Sequence, residues 1–222
     1  MDGLLIDSEP LWQQAGMNTL EEFGISITLE QYHQTTGLRT SEWIDWWFTY
    51  FNVNKKDAPS AIRSIEDKAI SLIQQHGVAY PGTDFILDFF KQRNFNIGLA
   101  TSSPLRLVDV VVKKLDIAHY FQAYSSAEHL AYGKPHPEVY MNCAKDLGVK
   151  PQYCICFEDS FNGLISSKAA KMKCVVIPAA DEFNKPKWNA ADGKISSLLD
   201  FNQELLDDLT GVQAEGKLTV NR

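Results

Sequence analysis

The sequence lacks the features of a membrane or secreted protein. No apolar run approaches the ~20 residues that a transmembrane helix needs. The start, MDG, has no basic segment of the kind that opens a secretory signal. Cysteine is scarce, and no Cys-x-x-Cys pattern or histidine pair completes a zinc site. We therefore expect a cytoplasmic protein with no membrane partner, whose cysteines are buried reduced thiols. They are Cys143, Cys154, Cys156 and Cys174.

Positive charge is in deficit. The 222 residues include 21 Lys and Arg against 28 Asp and Glu, which gives a formal net charge of -7. Such a protein repels the phosphates of nucleic acid, so we expect no nucleic-acid partner. A small phosphorylated substrate is not excluded, because a few cations and a metal ion can reverse the field inside one cleft.

Residues 10 to 76 follow a helical pattern throughout. Apolar residues recur at helical spacing in four stretches, which begin near Pro10, Thr28, Ser41 and Ala58. Four helices in a row without a strand predict a small bundle. An aromatic cluster in the third stretch is expected to form the core of this bundle rather than a surface for stacking sugars. It consists of Trp43, Trp46, Trp47 and Phe51.

Beyond the sequence YPG at residues 80–82, helices and strands alternate. Apolar strands are predicted over residues 97–101, 123–126, 154–158, 174–178 and 193–195. Helices lie between the first four of these strands, one loop joins the strands at residues 174–178 and 193–195, and a last helix is predicted over residues 202–209. The alternation predicts an α/β fold with a parallel sheet covered on both faces. Residues 211–222 are expected to be frayed.

The strand over residues 97–101 runs into a polar loop. Ligands of an open parallel sheet bind at the carboxyl ends of its strands. The loop offers the hydroxyls of Thr101, Ser102 and Ser103 just before a helix, a setting that suits phosphate oxygens. The alternative is that the two serines only cap that helix.

Lys134 stands between Gly133 and Pro135 on a short stiff loop. A lysine held in this way can be directed inward as a fixed positive charge. The alternative is the usual state of a lysine, a solvated side chain at the surface.

Glu158 and Asp159 end the strand predicted over residues 154–158. Two adjacent carboxylates repel each other unless a cation lies beside them. Carboxylate oxygens are ligands that suit Mg²⁺. The alternative is that Asp159 caps the following helix.

The first eight residues, MDGLLIDS, resemble the opening motif of the haloacid dehalogenase-like hydrolases, Asp-x-Asp-Gly-x-Leu-x-Asp-Ser. Thr101, Lys134 in Gly-Lys-Pro-x-Pro, and the pair Glu158 and Asp159 follow in the order of that family's other motifs. The resemblance extends to about Pro178. It implies a Rossmann-like parallel sheet core, residues 1–9 and 78–222, with an inserted four-helix cap, residues 10–77.

The resemblance also implies a role for each motif residue. Asp2 would be the catalytic acid/base, and Gly3 would let the backbone come close to the ligand. The phosphoryl group would be bound by Thr101, Ser102, Ser103 and Lys134. Mg²⁺ would be held by Asp2 through its backbone carbonyl, by Glu158 and by Asp159.

One element of the family motif is not found. The nucleophilic aspartate stands two residues before the acid/base, which is the position immediately before Met1. The first central strand of the sheet, which ends in that aspartate, is absent from the chain as given. One explanation is a start assigned to the internal Met of an Asp-Met-Asp-Gly sequence; the other is a catalytically inactive relative. As written, the chain is not expected to turn over substrate through an aspartyl phosphate.

Within the family, the resemblance is to cytosolic phosphatases of 2-deoxyglucose 6-phosphate and hexitol phosphates. It implies Mg²⁺-dependent hydrolysis of a small phosphorylated sugar or sugar alcohol, by a monomer. β-Phosphoglucomutases are the alternative, but they carry a histidine about where Trp12 stands, which favours a phosphatase. Arg39, in a loop between cap helices, is a candidate for contacting the sugar, and a surface-exposed arginine is the alternative.

Overall fold

The computed structural model describes residues 1–35 and 37–211. The α-helices in this part of the chain are α1 (Glu9–Glu22), α2 (Leu29–His33), α3 (Thr40–Tyr50), α4 (Ala58–His76), α5 (Thr83–Lys91), α6 (Leu105–Lys114), α7 (Glu138–Asp146), α8 (Phe161–Ala169) and α9 (Gln203–Thr210). The strands are β1 (Ile97–Thr101), β2 (Phe121–Ser126), β3 (Ile155–Glu158), β4 (Lys173–Val176) and β5 (Gly193–Lys194). No helix within these residues is long and apolar enough to cross a membrane. The fraying expected for residues 211–222 concerns, apart from Gly211, residues outside the described range.

The first four helices occupy the region in which the sequence predicted them. Pro10 lies in the first turn of α1, where its missing N–H group costs nothing. Thr28 caps α2 in a capping box with Gln31. Helix α4 packs against both α1 and α3. The apolar residues between these helices form a hydrophobic cluster of their own, which includes Leu20, Ile44 and Ile65.

The aromatic residues of α3 divide between the core and the surface. Trp43 and Trp47 are buried in the helical cluster, as predicted. The prediction was wrong for Trp46, which is 57% exposed, and Phe51 is only partly covered. Trp46 stands three residues from Trp43 but directly beside Trp47, and adjacent positions of a helix point in different directions. The buried stripe of α3 therefore takes in Ile44 and Phe48 instead.

The α/β fold of the remaining chain is confirmed, and its strands are parallel. β1 pairs with β2, with Thr101 opposite Ser126 at the carboxyl end. β3 pairs with β4, with Glu158 opposite Val176, and β4 pairs with β5. The strands form two sheets, because no strand in the described residues pairs with both β1 and β3.

A hydrophobic core spans both sheets and reaches the first residues of the chain. It includes Leu5, Leu99 of β1, Val175 of β4 and Phe90 of α5. Backbone hydrogen bonds tie residues 5–7 to residues 78–80, since Asp7 N donates to the carbonyl of Val78 and Tyr80 N donates to that of Leu5. This connection holds the start of the chain beside the carboxyl ends of β1 and β3.

Candidate functional site

A cavity of about 670 Å³ lies where the start of the chain meets the carboxyl ends of β1 and β3. Residues along the full length of both strands line it, so the cavity extends from its polar end into the space between the two sheets. Side chains of α1 and α3 form part of its wall. The predicted site residues that line it are Asp2, Thr101, Ser102, Ser103, Lys134, Glu158 and Asp159.

Asp2 is held by three side-chain donors. The hydroxyl of Ser8 and the indole N–H of Trp12 donate to its Oδ1, at 2.7 and 2.9 Å. The hydroxyl of Ser103 donates to its Oδ2 at 2.8 Å. The carboxylate is thus fixed between the first turn of α1 and the loop that follows β1. Sequence reasoning identified Asp2 and Ser103 but missed Ser8 and Trp12; their spacing of four residues, one helical turn, was the available signal.

Gly3 allows the backbone to lie against Asp159. Its φ of +65° belongs to the left-handed region, which favours glycine. A Cβ added at Gly3 would lie 2.3 Å from Oδ2 of Asp159, so any side chain here would displace that carboxylate.

The loop after β1 is folded by its own hydroxyls. The hydroxyl of Thr101 accepts the N–H of Ser103 at 3.1 Å, and the hydroxyl of Ser126 donates to the carbonyl of Ser103 at 2.6 Å. The expected alternative, in which the serines cap α6, is wrong, because Pro104 is the N-cap residue and the N–H of Leu105 in the first turn donates to Glu128 instead. Ser102 Oγ is buried without a hydrogen-bond partner among the described residues.

Lys134 and Glu158 form a buried ion pair. The Lys134 ammonium lies 2.5 Å from Oε1 of Glu158, and both side chains are more than nine-tenths buried. The surface alternative for Lys134 is therefore wrong. Burial disfavours both charges, but the attraction between them outweighs it: the pKa of Glu158 is lowered and the pKa of Lys134 is raised.

Glu158 is bound on both of its oxygens. Tyr140 donates to the same oxygen as Lys134, and the N–H and hydroxyl of Ser160 donate to Oε2. A Cβ at Gly163 would lie 2.0 Å from this carboxyl group, so the glycine makes room for it in the first turn of α8. No signal in the sequence pointed to Tyr140, which stands on α7.

The positive charges around Asp159 are too weak to offset the effects that disfavour its ionised form. Burial and the neighbouring Glu158 raise its pKa to about 7, against the opposing pull of the chain's amino terminus and of Lys134. The expected alternative, in which Asp159 caps α8, is wrong, because Ser160 is the N-cap and accepts the N–H of Gly163. Its carboxylate is thus available for a ligand on the cavity side.

The acidic residues do not form a ready-made three-carboxylate site. Within residues 1–35 and 37–211, no group of three or more His, Cys, Asp and Glu is arranged to hold a metal ion. The carboxylate oxygens of Asp2 and Glu158 already accept hydrogen bonds from neighbouring side chains. Mg²⁺ commonly keeps several waters and takes only one or two carboxylates together with substrate phosphate. Asp159 fits a site of that kind, because the positive charges near it do not offset its burial and the neighbouring Glu158.

The structure does not bring Arg39 to the cavity. Its guanidinium donates to the carbonyls of Ala127 and Leu130 at 3.1 and 2.6 Å, and it pairs with Glu42 at 2.9 Å. The side chain is only 13% exposed, so Arg39 is not the solvated surface arginine of the alternative interpretation either.

Comparison with known proteins agrees with this arrangement of motifs. The family model for haloacid dehalogenase-like hydrolases matches residues 1–177. Hexitol phosphatase B of Escherichia coli (strain K12) is 39% identical over 212 residues, 95% of this chain and 94% of that protein. A phosphorylated carbohydrates phosphatase of Thermotoga maritima is 27% identical over 170 residues, 77% of this chain and 78% of that protein.

Solved structures share the fold. A β-phosphoglucomutase from Clostridium difficile superimposes with a TM-score of 0.83 at 23% identity, covering 95% of this chain and 94% of its own. At that identity the likeness concerns the fold alone. The family match, which covers most of the chain, and the hexitol phosphatase relative decide the assignment: this chain belongs to the haloacid dehalogenase-like hydrolase family.

Proposed function

We propose that the protein is a Mg²⁺-dependent phosphatase that hydrolyses small phosphorylated sugars or sugar alcohols through an aspartyl phosphate. One observation carries the proposal: the carboxylate of Asp2 shares a single cavity with the Lys134 ammonium, the hydroxyls that follow β1 and the carboxylate of Asp159. The similarity to a hexitol phosphatase over 95% of the chain supports the substrate class.

The phosphoryl group would bind at the carboxyl ends of β1 and β3. Lys134 supplies a buried positive charge there. The hydroxyl of Ser102, buried without a partner in the described part of the chain, gains a hydrogen bond if it donates to a phosphoryl oxygen. Thr101 and Ser103 shape the loop that presents it.

Asp2 would move protons during both halves of the reaction. In the first half, a P–O bond forms to the nucleophilic aspartate while the bond from phosphorus to the sugar oxygen breaks, and Asp2 gives that oxygen its proton. In the second half, Asp2 takes a proton from water as the water oxygen attacks phosphorus. Inorganic phosphate leaves and the aspartate is restored.

The nucleophile in this proposal is an aspartate placed immediately before Met1. It would end a short apolar strand, for which β1 and β3 offer backbone partners on the two sides of the cavity. Such a strand would join the two sheets into one parallel sheet.

Mg²⁺ would be held by Asp159 together with Glu158 and the backbone carbonyl of Asp2, and when bound it would neutralise charge that develops on the phosphoryl oxygens. Without the ion, the positive charges that attract these two carboxylates are the Lys134 ammonium and the chain's amino terminus. The residues themselves bind and orient the phosphate and transfer protons.

Residues 10–77 would act as the cap, and residues 1–9 and 78–222 as the core. The helical segment forms its own hydrophobic cluster and also contributes residues to the lining of the cavity. The core motifs would bind only phosphate and metal. The residues of the helical segment that line the cavity, here called the helical wall, would therefore select the sugar. Its lining residues include Trp12, Tyr32, Leu38 and Trp43.

The test is phosphate release from a panel of sugar and sugar alcohol phosphates with Mg²⁺, with EDTA as the control. Two proteins are compared: the chain as given, and the same chain preceded by a short apolar strand that ends in aspartate. We expect Mg²⁺-dependent release from the extended protein and none from the chain as given. No release from either protein on any substrate would defeat the phosphatase proposal. Conversion of a sugar 1-phosphate to its 6-phosphate without net phosphate release would identify a mutase.

A further inference from the structure

The loop that delivers Lys134 is held by two residues from a distant part of the chain. Arg39 is the N-cap residue of α3, and Glu42 lies in its first turn. Between them they bind four backbone groups of residues 127–133. Arg39 donates to the carbonyls of Ala127, Leu130 and Ala131 at 3.1, 2.6 and 3.3 Å, and Glu42 accepts the N–H of Gly133 at 3.0 Å.

We call Arg39 and Glu42, with their hydrogen bonds to residues 127–133, the clamp. Arg39 and Glu42 also pair with each other at 2.9 Å, with side chains 13% and 31% exposed. The planar guanidinium fork is pre-organised for several acceptors at once, so a lysine cannot reproduce it. Hydrogen bonds from a charged group to backbone are among the stronger ones in proteins.

The absence of a side chain at Gly133 leaves room for Arg39 and Glu42. A Cβ added there would lie 2.6 Å from Oε2 of Glu42 and 3.1 Å from Cγ of Arg39. Any side chain at position 133 would therefore displace the Glu42 carboxylate from its place beside the Gly133 N–H. Lys134 is the next residue, so the last clamped N–H group stands directly before the buried lysine that pairs with Glu158.

We propose that Arg39 and Glu42 are positioning residues, which hold residues 127–133 so that Lys134 points into the phosphate site. The proposal rests on the proposed function for the role of Lys134. It replaces the expectation that Arg39 contacts the sugar, because the terminal nitrogens of Arg39 are engaged by loop carbonyls and by Glu42. Since Arg39 and Glu42 belong to the helical segment, the geometry of the phosphate site depends on that segment being docked on the core.

The first experiment needs no turnover. Backbone amide exchange of Gly133 is measured by NMR in the chain as given and in its Glu42→Ala and Arg39→Ala variants. Loss of the bond to Glu42 is expected to speed exchange of the Gly133 amide about 10-fold or more, the factor that corresponds to one hydrogen bond to a charged group. The control is Arg106→Ala, which removes ion pairs between α6 and α4 and leaves the loop contacts intact. Exchange at Gly133 that is unchanged in Glu42→Ala, or equally fast in Arg106→Ala, would overturn the clamp.

The second experiment uses the protein extended by the strand that ends in aspartate. Arg39→Ala and Glu42→Ala are expected to lower kcat by a similar factor on every phosphate ester, including a small aryl phosphate, and the double variant should be little worse than either single one. Arg39→Lys should recover only part of the loss. A defect in Arg39→Ala confined to KM and dependent on the sugar would instead identify a substrate contact and overturn the proposal.

The two experiments separate the possible failures. If the extended protein has no activity, the proposed function fails while the amide exchange still tests the clamp. If an alanine variant does not fold, Gly133→Ala approaches the same contact from the loop side, and Glu42→Gln keeps the size and an acceptor oxygen of the side chain. For Gly133→Ala and for Glu42→Gln we expect the backbone amides of residues 127–133 to exchange faster than in Arg106→Ala. Equal amide exchange rates in these variants and in Arg106→Ala would contradict the clamp.

Discussion

The carboxylate of Asp2 is held by donors from two parts of the chain. Ser8 and Trp12 approach one oxygen from α1, while Ser103 reaches the other from the loop after β1. In the proposed mechanism Asp2 transfers a proton and must face the leaving oxygen, and these donors determine which way its carboxylate faces. Trp12 is the most instructive of them, because a phenylalanine at this position keeps an aromatic ring and removes the N–H group.

We expect Trp12→Phe in the extended protein to lower kcat on sugar phosphates about 10-fold, the factor for one hydrogen bond to a charged group. The reason is that Asp2 loses one of the donors that orient it. Aryl phosphates with a strongly acidic leaving group need little proton donation, so their kcat should change much less. Trp46→Phe is the matched control, since Trp46 is 57% exposed and lies outside the cavity lining. Equal losses on both substrate classes would contradict an orienting role.

The buried pair of Lys134 and Glu158 makes a prediction about stability. Lys134→Met leaves the Glu158 carboxylate buried without its cation, and breaking a buried pair in this way costs about 3–5 kcal/mol. The loss is measured by urea unfolding at pH 7. Lys55→Met is the control, because the pair of Lys55 and Asp45 is exposed and should contribute less than about 1 kcal/mol. Similar small effects from both variants would show that Glu158 does not need its partner.

At the scale of single residues, the sequence predicted which residues line the cavity better than it predicted their hydrogen-bond partners. Asp2, Lys134 and Asp159 stand in motifs and reach one cavity as expected. Arg39 does not, because its contacts are with a loop about 90 residues further along the chain, and the pairing of distant segments leaves no local pattern. Tyr140 was missed for the same reason.

At the scale of elements, Asp192 ties three pieces of structure together. Its carboxylate accepts hydrogen bonds from Lys168 of α8, from the backbone N–H of Cys174 in β4, and from Lys173. Partial burial would raise its pKa, but these donors outweigh it and hold the pKa of Asp192 below the usual range. The small strand β5 begins at the next residue, so Asp192 anchors the edge of this sheet.

We expect Asp192→Asn to lower the free energy of unfolding at pH 7 by about 1–3 kcal/mol. Because the folded-state pKa of Asp192 is lowered, its contribution is fully present above the unfolded value of about 3.9 and is lost as the pH falls through the folded value. The difference between wild type and variant should thus be constant from pH 7 to about pH 5 and shrink below about pH 4. Urea titrations at these pH values measure it. A difference that persists unchanged at pH 3 would exclude this linkage.

Helices and strands were predictable where a periodic apolar pattern was long. Helix α4 and strand β1 were located to within a residue or so of their ends. The segment after β4 was expected to be one loop, yet it contains a 3-10 helix at Pro186–Ala190. That turn is stabilised by Trp188, which is buried against Leu164 and Val176, so a tertiary contact rather than local periodicity produces it.

At the scale of the whole molecule, the order of the motifs predicted the site because parallel strands bring their carboxyl ends to one edge. The pairing of the strands depends on tertiary contacts, because the apolar pattern describes each strand but not its partners. Strands β1 and β3 each pair on one side within the described residues and border the same cavity on the other.

That space between β1 and β3 should make the protein sensitive to hydrostatic pressure. Unfolding eliminates internal voids, so the volume of the system falls and compression favours the unfolded chain. We expect the chain as given to denature at a lower pressure than the form extended by an apolar strand, with midpoints followed by tryptophan fluorescence in a high-pressure cell. Equal pressure midpoints for the two forms would mean that the added strand does not fill the space between β1 and β3. The pressure midpoint would therefore report how well the space between β1 and β3 is filled.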